Sequence, residues 1–178
     1  GSWDPFEVTV RAIVGQQISV TAATTIAGRL VETFGKPIEG YEDRGLTHLF
    51  PSAQTLADAD LASLGMTTAQ ARAIGAVGRA VASGTLDLQS FTGLDDAVAR
   101  LCELPGIGEW TAHYVAMRAL GEPDAFPASD LGLRKGAALD GTPISAAALA
   151  RMAEAWRPWR AYAAMHLWAS LPEIGRKR

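Results

Sequence analysis

Two glycine amides and one carboxylate are the groups this sequence best equips for chemistry. Leu104-Pro105-Gly106-Ile107-Gly108 interrupts a helical pattern that Asp95 to Cys102 establishes and that Glu109 onward resumes. Gly106 and Gly108 carry no Cβ, so the backbone can bend sharply and another chain can come close. Their N–H groups fall at the start of the following helix, where donors are unpaired and the dipole is positive, a setting that suits a phosphate. A phosphate held by backbone donors fixes position without reading sequence, as scanning a duplex requires. A plain turn between two packed helices would use the same residues. Asp130, after Ser129, is the second candidate: it can cap a helix start, supply a catalytic carboxylate, or do both.

The elements that must position these groups read as helices throughout. Asp4-Pro5-Phe6-Glu7 opens one, with Asp4 as N-cap and Glu7 placed to close a capping box, and it runs to about Val14. Gly15 to Ser19 interrupts it, leaving Gln16 and Gln17 at a helix junction, and an apolar stripe through Ala22, Ile26 and Leu30 then continues to Gly35. Residues 36–51 read as a surface loop. Ser52, Asp60 and Thr67 open three further helices, the last reaching Gly84, and Leu61 to Met66 weakly echoes the later turn. After a loop over residues 121–130, Leu131, Leu133 and Leu139 begin another helical pattern. Ser145 caps a helix to Trp156, and Pro158 restarts one that ends near Ser170, before Pro172. Trp156 and Trp159 read as core. No stretch sustains the period-two alternation of a strand, so the fold class is all-α.

The 178 residues, 48% hydrophobic and 20% charged, fit one domain or a two-lobed one. No window approaches the roughly 20 apolar residues of a membrane span. The single cysteine, Cys102, excludes an internal disulfide, a four-cysteine zinc site and a four-cysteine iron–sulfur cluster, and a cytoplasmic location is expected. Gly1-Ser2 reads as an expression remnant. A net charge of −3 is not that of a protein that coats nucleic acid, so DNA binding would rest on local geometry. The small basic patch available is Arg134-Lys135, Arg157, Arg160 and the tail 176–178, Arg176-Lys177-Arg178.

Leu104 to Ala112 resembles the helix-hairpin-helix motif, Leu-Pro-Gly-Val/Ile-Gly followed by two variable residues and Thr-Ala. With Asp130 behind it, the chain resembles the helix-hairpin-helix DNA glycosylase superfamily, and within it the bacterial 3-methyladenine DNA glycosylase II family. Phe6-Glu7, Val10 to Ile13, Gly15-Gln16, Leu64 to Met66, Leu104 to Tyr114, Trp156 to Arg160, Tyr162 and His166-Leu167-Trp168 carry the likeness, which covers nearly the whole chain.

The resemblance implies two helical lobes with a cleft between them: residues 20–120 forming one with the hairpin, and residues 3–19 plus 121–175 the other. Such proteins carry a further N-terminal α/β domain, so the chain is expected to be one part of a longer polypeptide. The implied activity is monofunctional base excision. Asp130 stabilises the sugar cation that develops as an alkylated purine leaves. Trp110, Tyr114 and Trp168 line the base pocket, and Gln16 and Gln17 form the wedge that fills the vacated stack. Gly106, Gly108 and Thr111 hold a phosphate. Relatives that also cut the strand have a lysine where Trp110 stands, so water is the expected nucleophile. No cofactor is needed for the chemistry, although relatives hold a Na or K ion on hairpin carbonyls that correspond to Cys102, Leu104 and Ile107. The expected partner is damaged double-stranded DNA, met by a monomer in the cytoplasm at the nucleoid. Two other readings stay open: a noncatalytic DNA-binding module in which Asp130 is only a cap, and a glycosylase for another damaged or mismatched base.

Overall fold

A computed structural model of the chain describes residues 2–138 and 142–171, the side chain of Glu42 excepted. Gly1, Leu139, Pro172 and the basic tail 176–178 lie outside the described residues.

Helix α1 (Pro5–Val14) starts as its cap pattern dictates, with Asp4 Oδ1 accepting from Phe6 N at 2.8 Å. Glu7 does not close the expected box; it pairs with Arg11 one turn on at 2.7 Å. Helix α2 (Val20–Phe34) follows the Ser19 cap. The expected loop over residues 36–51 contains two strands, β1 (Lys36–Pro37) and β2 (His48–Leu49), paired antiparallel with Lys36 opposite Leu49. Strands of two residues are too short to show alternation, which is why the sequence pattern misses them.

Ser52 and Thr67 cap α3 (Ala53–Ala57) and α4 (Thr68–Ala82). At Thr67 a true capping box forms: Gln70 N donates to the Thr67 hydroxyl and Gln70 Oε1 accepts from Thr67 N. Helix α5 (Leu94–Cys102) leads through the Pro-Gly turn to α6 (Glu109–Val115), which runs on into a π-helical turn at Ala116–Leu120. Asp130 caps α7 (Leu131–Gly136), Ser145 caps α8 (Ala146–Ala153), and α9 (Arg160–Ala169) starts two residues beyond the Pro158 that was expected to restart it. Among the described residues no helix is long and apolar enough to cross a membrane.

Two apolar clusters hold these helices. The first joins α1 to α6 around Ile13, Leu30, Leu56, Ile74 and Leu101, all at most 1% exposed, each contributing about 1.5–3 kcal/mol by its burial. The second gathers Phe126, Leu133, Leu149 and Ala164 from the 121–130 loop, α7, α8 and α9. Tyr114 packs against both. Phe6, Val10 and Ile13 belong to the first cluster, so α1 does not complete the second lobe as the expected division placed it. Its apolar face finds α4 and α6 instead. Trp156 meets Phe126 edge-on in the second cluster, but Trp159 is 58% exposed and stands against Tyr162, so it is not core.

Candidate active site

A cleft of about 890 Å³ is lined by the α1–α2 junction, α6, the start of α7 and the end of α9. Gln16, Gln17, Gly108, Trp110, Tyr114, Asp130 and Trp168 all face it. Residues from distant parts of the sequence thus share one opening.

One wall is backbone. Gly106 takes φ +82°, a left-handed conformation, and a Cβ there would lie 2.7 Å from Ala73 Cβ on α4. Only glycine allows that turn to lie against that helix. Gln16 Nε2 then donates to Gly106 O at 3.0 Å and to Thr111 Oγ1 at 2.9 Å, fastening the α1–α2 junction to the hairpin. Behind it, Gln70 Nε2 lies within 3.0 to 3.3 Å of the carbonyls of Ile13 and Val14 at the end of α1 and of Gln16 just beyond it. A buried amide with all its bonds made is rigidifying, and this one joins the capping box of α4 to the end of α1.

The other wall is side chain. Asp130 Oδ1 accepts from Leu133 N at 2.8 Å, as an N-cap does, and from Trp168 Nε1 at 2.9 Å. Asp130 Oδ2 accepts from Trp110 Nε1 at 2.9 Å. Trp110 stacks on Tyr114 with ring centroids 5.4 Å apart, and Tyr114 leans on Trp168 at 6.2 Å. His113, on the same helix, accepts from Phe126 N through Nδ1 at 3.3 Å; burial, and then the charge of Arg160, lower its pKa and keep the imidazole neutral for that bond. Burial, aided by the Glu109 carboxylate, raises the Cys102 thiol, which leaves it a poor nucleophile.

Residues 10–162 match the HhH-GPD superfamily of base excision DNA repair proteins. The chain belongs to that superfamily. A Mycobacterium tuberculosis protein named as a probable bifunctional transcriptional activator/DNA repair enzyme AlkA is 46% identical over 94% of this chain and 34% of its own length. DNA-3-methyladenine glycosylase 2 of Escherichia coli is 37% identical over 94% of this chain and 58% of its own. The 3-methyladenine DNA-glycosylase of Archaeoglobus fulgidus superposes with a TM-score of 0.82 at 28% identity, over 94% of this chain and 58% of that one. The chain therefore spans between 34% and 58% of the length of these relatives.

Within this member of the HhH-GPD superfamily, the expected pocket residues Trp110, Tyr114 and Trp168 stand together beside Asp130. Gln17 is exposed at φ +60°, whereas Gln16, named with it for the wedge, is occupied in holding the hairpin. Thr111 is 2% exposed and its hydroxyl meets Gln16, so it supports the turn from inside. The basic patch is smaller than expected. Arg157 and Arg160 are spent on Asp124 and Glu154, and Arg134 donates to Ile144 O. Gln70 and Gly132 escaped the sequence reading. The Thr67-x-x-Gln70 spacing fits a capping box, but nothing in it says where the amide nitrogen points.

Proposed function

We propose that this chain is the helical catalytic part of a monofunctional DNA glycosylase that flips out and hydrolytically excises alkylated purines, such as 3-methyladenine, in base excision repair. The observation that carries the reading is Asp130, a carboxylate with no ion pair among the described residues, held by neutral donors in a cleft among three aromatic rings and shared with the hairpin turn.

Breaking an N-glycosidic bond leaves an oxocarbenium-like sugar. A carboxylate about 4 Å away, at an effective dielectric of about 20, attracts that charge by about 4 kcal/mol, or roughly three decades of rate. Asp130 also orients the attacking water. An alkylated purine is often cationic, so it leaves readily and gains about 0.5–2 kcal/mol by stacking on electron-rich rings such as Trp110, Tyr114 and Trp168. With an indole at position 110 there is no amine to form a Schiff base, and the product is an intact strand bearing an abasic site. Gln17 at the exposed tip enters the space the base vacates. Amides at Gly106 and Gly108 hold a phosphate. The Cys102, Leu104 and Ile107 carbonyls offer hard oxygen donors to a Na or K ion; Leu104 O already accepts from Ile107 N at 3.2 Å, and a carbonyl's second lone pair stays available. The enzyme works as a monomer on damaged duplex DNA in the cytoplasm, joined to a further N-terminal domain.

Chromatography of bases released from duplex DNA carrying methylated and deaminated purines tests this. The parent is expected to release 3-methyladenine and Asp130→Asn to lose that release while keeping duplex affinity. Tight duplex binding with no base released would instead make the chain a noncatalytic module, and release of only deaminated purine would change the lesion class.

A further inference from the structure

The bonds to Asp130 are unequal, and the inequality has a use. Each carboxylate oxygen has room for about two donors. Oδ1 has both, from Leu133 N and Trp168 Nε1, whereas Oδ2 has one, from Trp110 Nε1. The donors come from α6, α7 and α9, so three helices fix one side chain. All three are neutral. A guanidinium in their place would hold the carboxylate equally well but cancel the charge that must face a cation, and among the described residues no ion pair reaches Asp130.

Gly132 makes the arrangement possible. A Cβ at that position would lie 3.0 Å from Asp130 Oδ1 and 3.1 to 3.2 Å from the Trp168 ring edge, tighter than nearly all real contacts. Gly132 is the second residue of α7, and the absence of a Cβ there lets the indole edge come close to the carboxylate.

We infer that Trp110 and Trp168 act as positioning residues through their indole N–H groups, Trp168 anchoring Oδ1 of Asp130 and Trp110 orienting Oδ2, whose remaining lone pair faces the reacting sugar, with Gly132 providing the space. This deepens the glycosylase reading and rests on it for the kinetic arm of its test. The spectroscopic arm stands alone.

In 15N-indole NMR of the intact chain, the Nε1–H signals of Trp110 and Trp168 are expected to be protected from exchange. In Asp130→Asn a single oxygen remains; it can serve Leu133 and Trp168, while the amide nitrogen confronts Trp110. Only the Trp110 signal is then expected to move and to exchange at least about tenfold faster. Two signals unchanged by Asp130→Asn would overturn the clamp. For the kinetics, replacing Trp168 by 3-benzothienylalanine keeps the ring area and removes the donor. Single-turnover base release is expected to fall about 10- to 100-fold with KM for duplex unchanged, and Gly132→Ala to lower it in the same direction while shifting the Trp168 signal. An isostere with the parental rate would end the positioning role. A parent that releases no base would refute the glycosylase reading, with the NMR comparison still deciding the clamp.

Discussion

The two walls of the cleft are built from different materials. The hairpin wall is main chain, shaped by a left-handed glycine lodged on α4 and tied by the amides of Gln16 and Gln70. The carboxylate wall is side chain, with Asp130 held by donors 20 and 38 residues away and one three residues on. Main-chain donors have no sequence preference and cannot be titrated, which suits a grip that must tolerate any duplex. A carboxylate supplies a full charge at one point, which suits a single bond. In the proposed glycosylase, binding and chemistry would thereby be separable in this cleft.

That separation can be broken by substitution. The largest effect is expected from Asp130→Asn, which should lower base release by about 100- to 1000-fold, as loss of a transition-state charge contact does, with duplex Kd in a filter or anisotropy assay within twofold of the parent. A comparable loss of affinity would show the walls to be one unit. Next, Gln70→Leu strips the amide donor from the Val14 and Gln16 carbonyls and is expected to cost about 1–3 kcal/mol in urea denaturation. Gly106→Ala, which forces a Cβ into Ala73 at positive φ, should cost about 1–2 kcal/mol and weaken duplex binding without changing single-turnover release at saturating enzyme. The smallest effect concerns His113, which ties α6 to the loop that delivers Asp130. Its folded-state pKa lies below the ordinary 6.5, so stability is fully present above that value. As pH falls below it, the unfolded chain takes up a proton that the folded chain refuses, and stability declines until the lowered value is passed. His113→Gln should flatten that decline in denaturation midpoints compared at pH 7.5 and about 5.

The same contrast explains what could be read from the chain. The hairpin lies in one contiguous stretch, so its glycines, its flanking helices and its resemblance were all legible, and the helix caps at Asp4, Ser52, Thr67 and Ser145 were equally local. The carboxylate wall was legible only as a set of types. Trp110, Tyr114 and Trp168 could be placed near Asp130 by resemblance, but the direction of an indole N–H is fixed by packing between helices far apart in sequence. Trp159 looked like core because large aromatics usually are, and only the packing of α9 shows it standing outside. Helix α1 carried a clear apolar face, yet a face does not name its partner; α4 and α6 claimed it.

Gln16 carries one more consequence. By bonding across 90 residues to the Gly106 carbonyl, it couples the position of the exposed tip at Gln17 to that of the turn at Gly106. In the proposed glycosylase, tip and turn would then meet a duplex as one unit. Sites where the duplex is already weak at one base pair would fit that unit at the smallest cost in bending and unstacking.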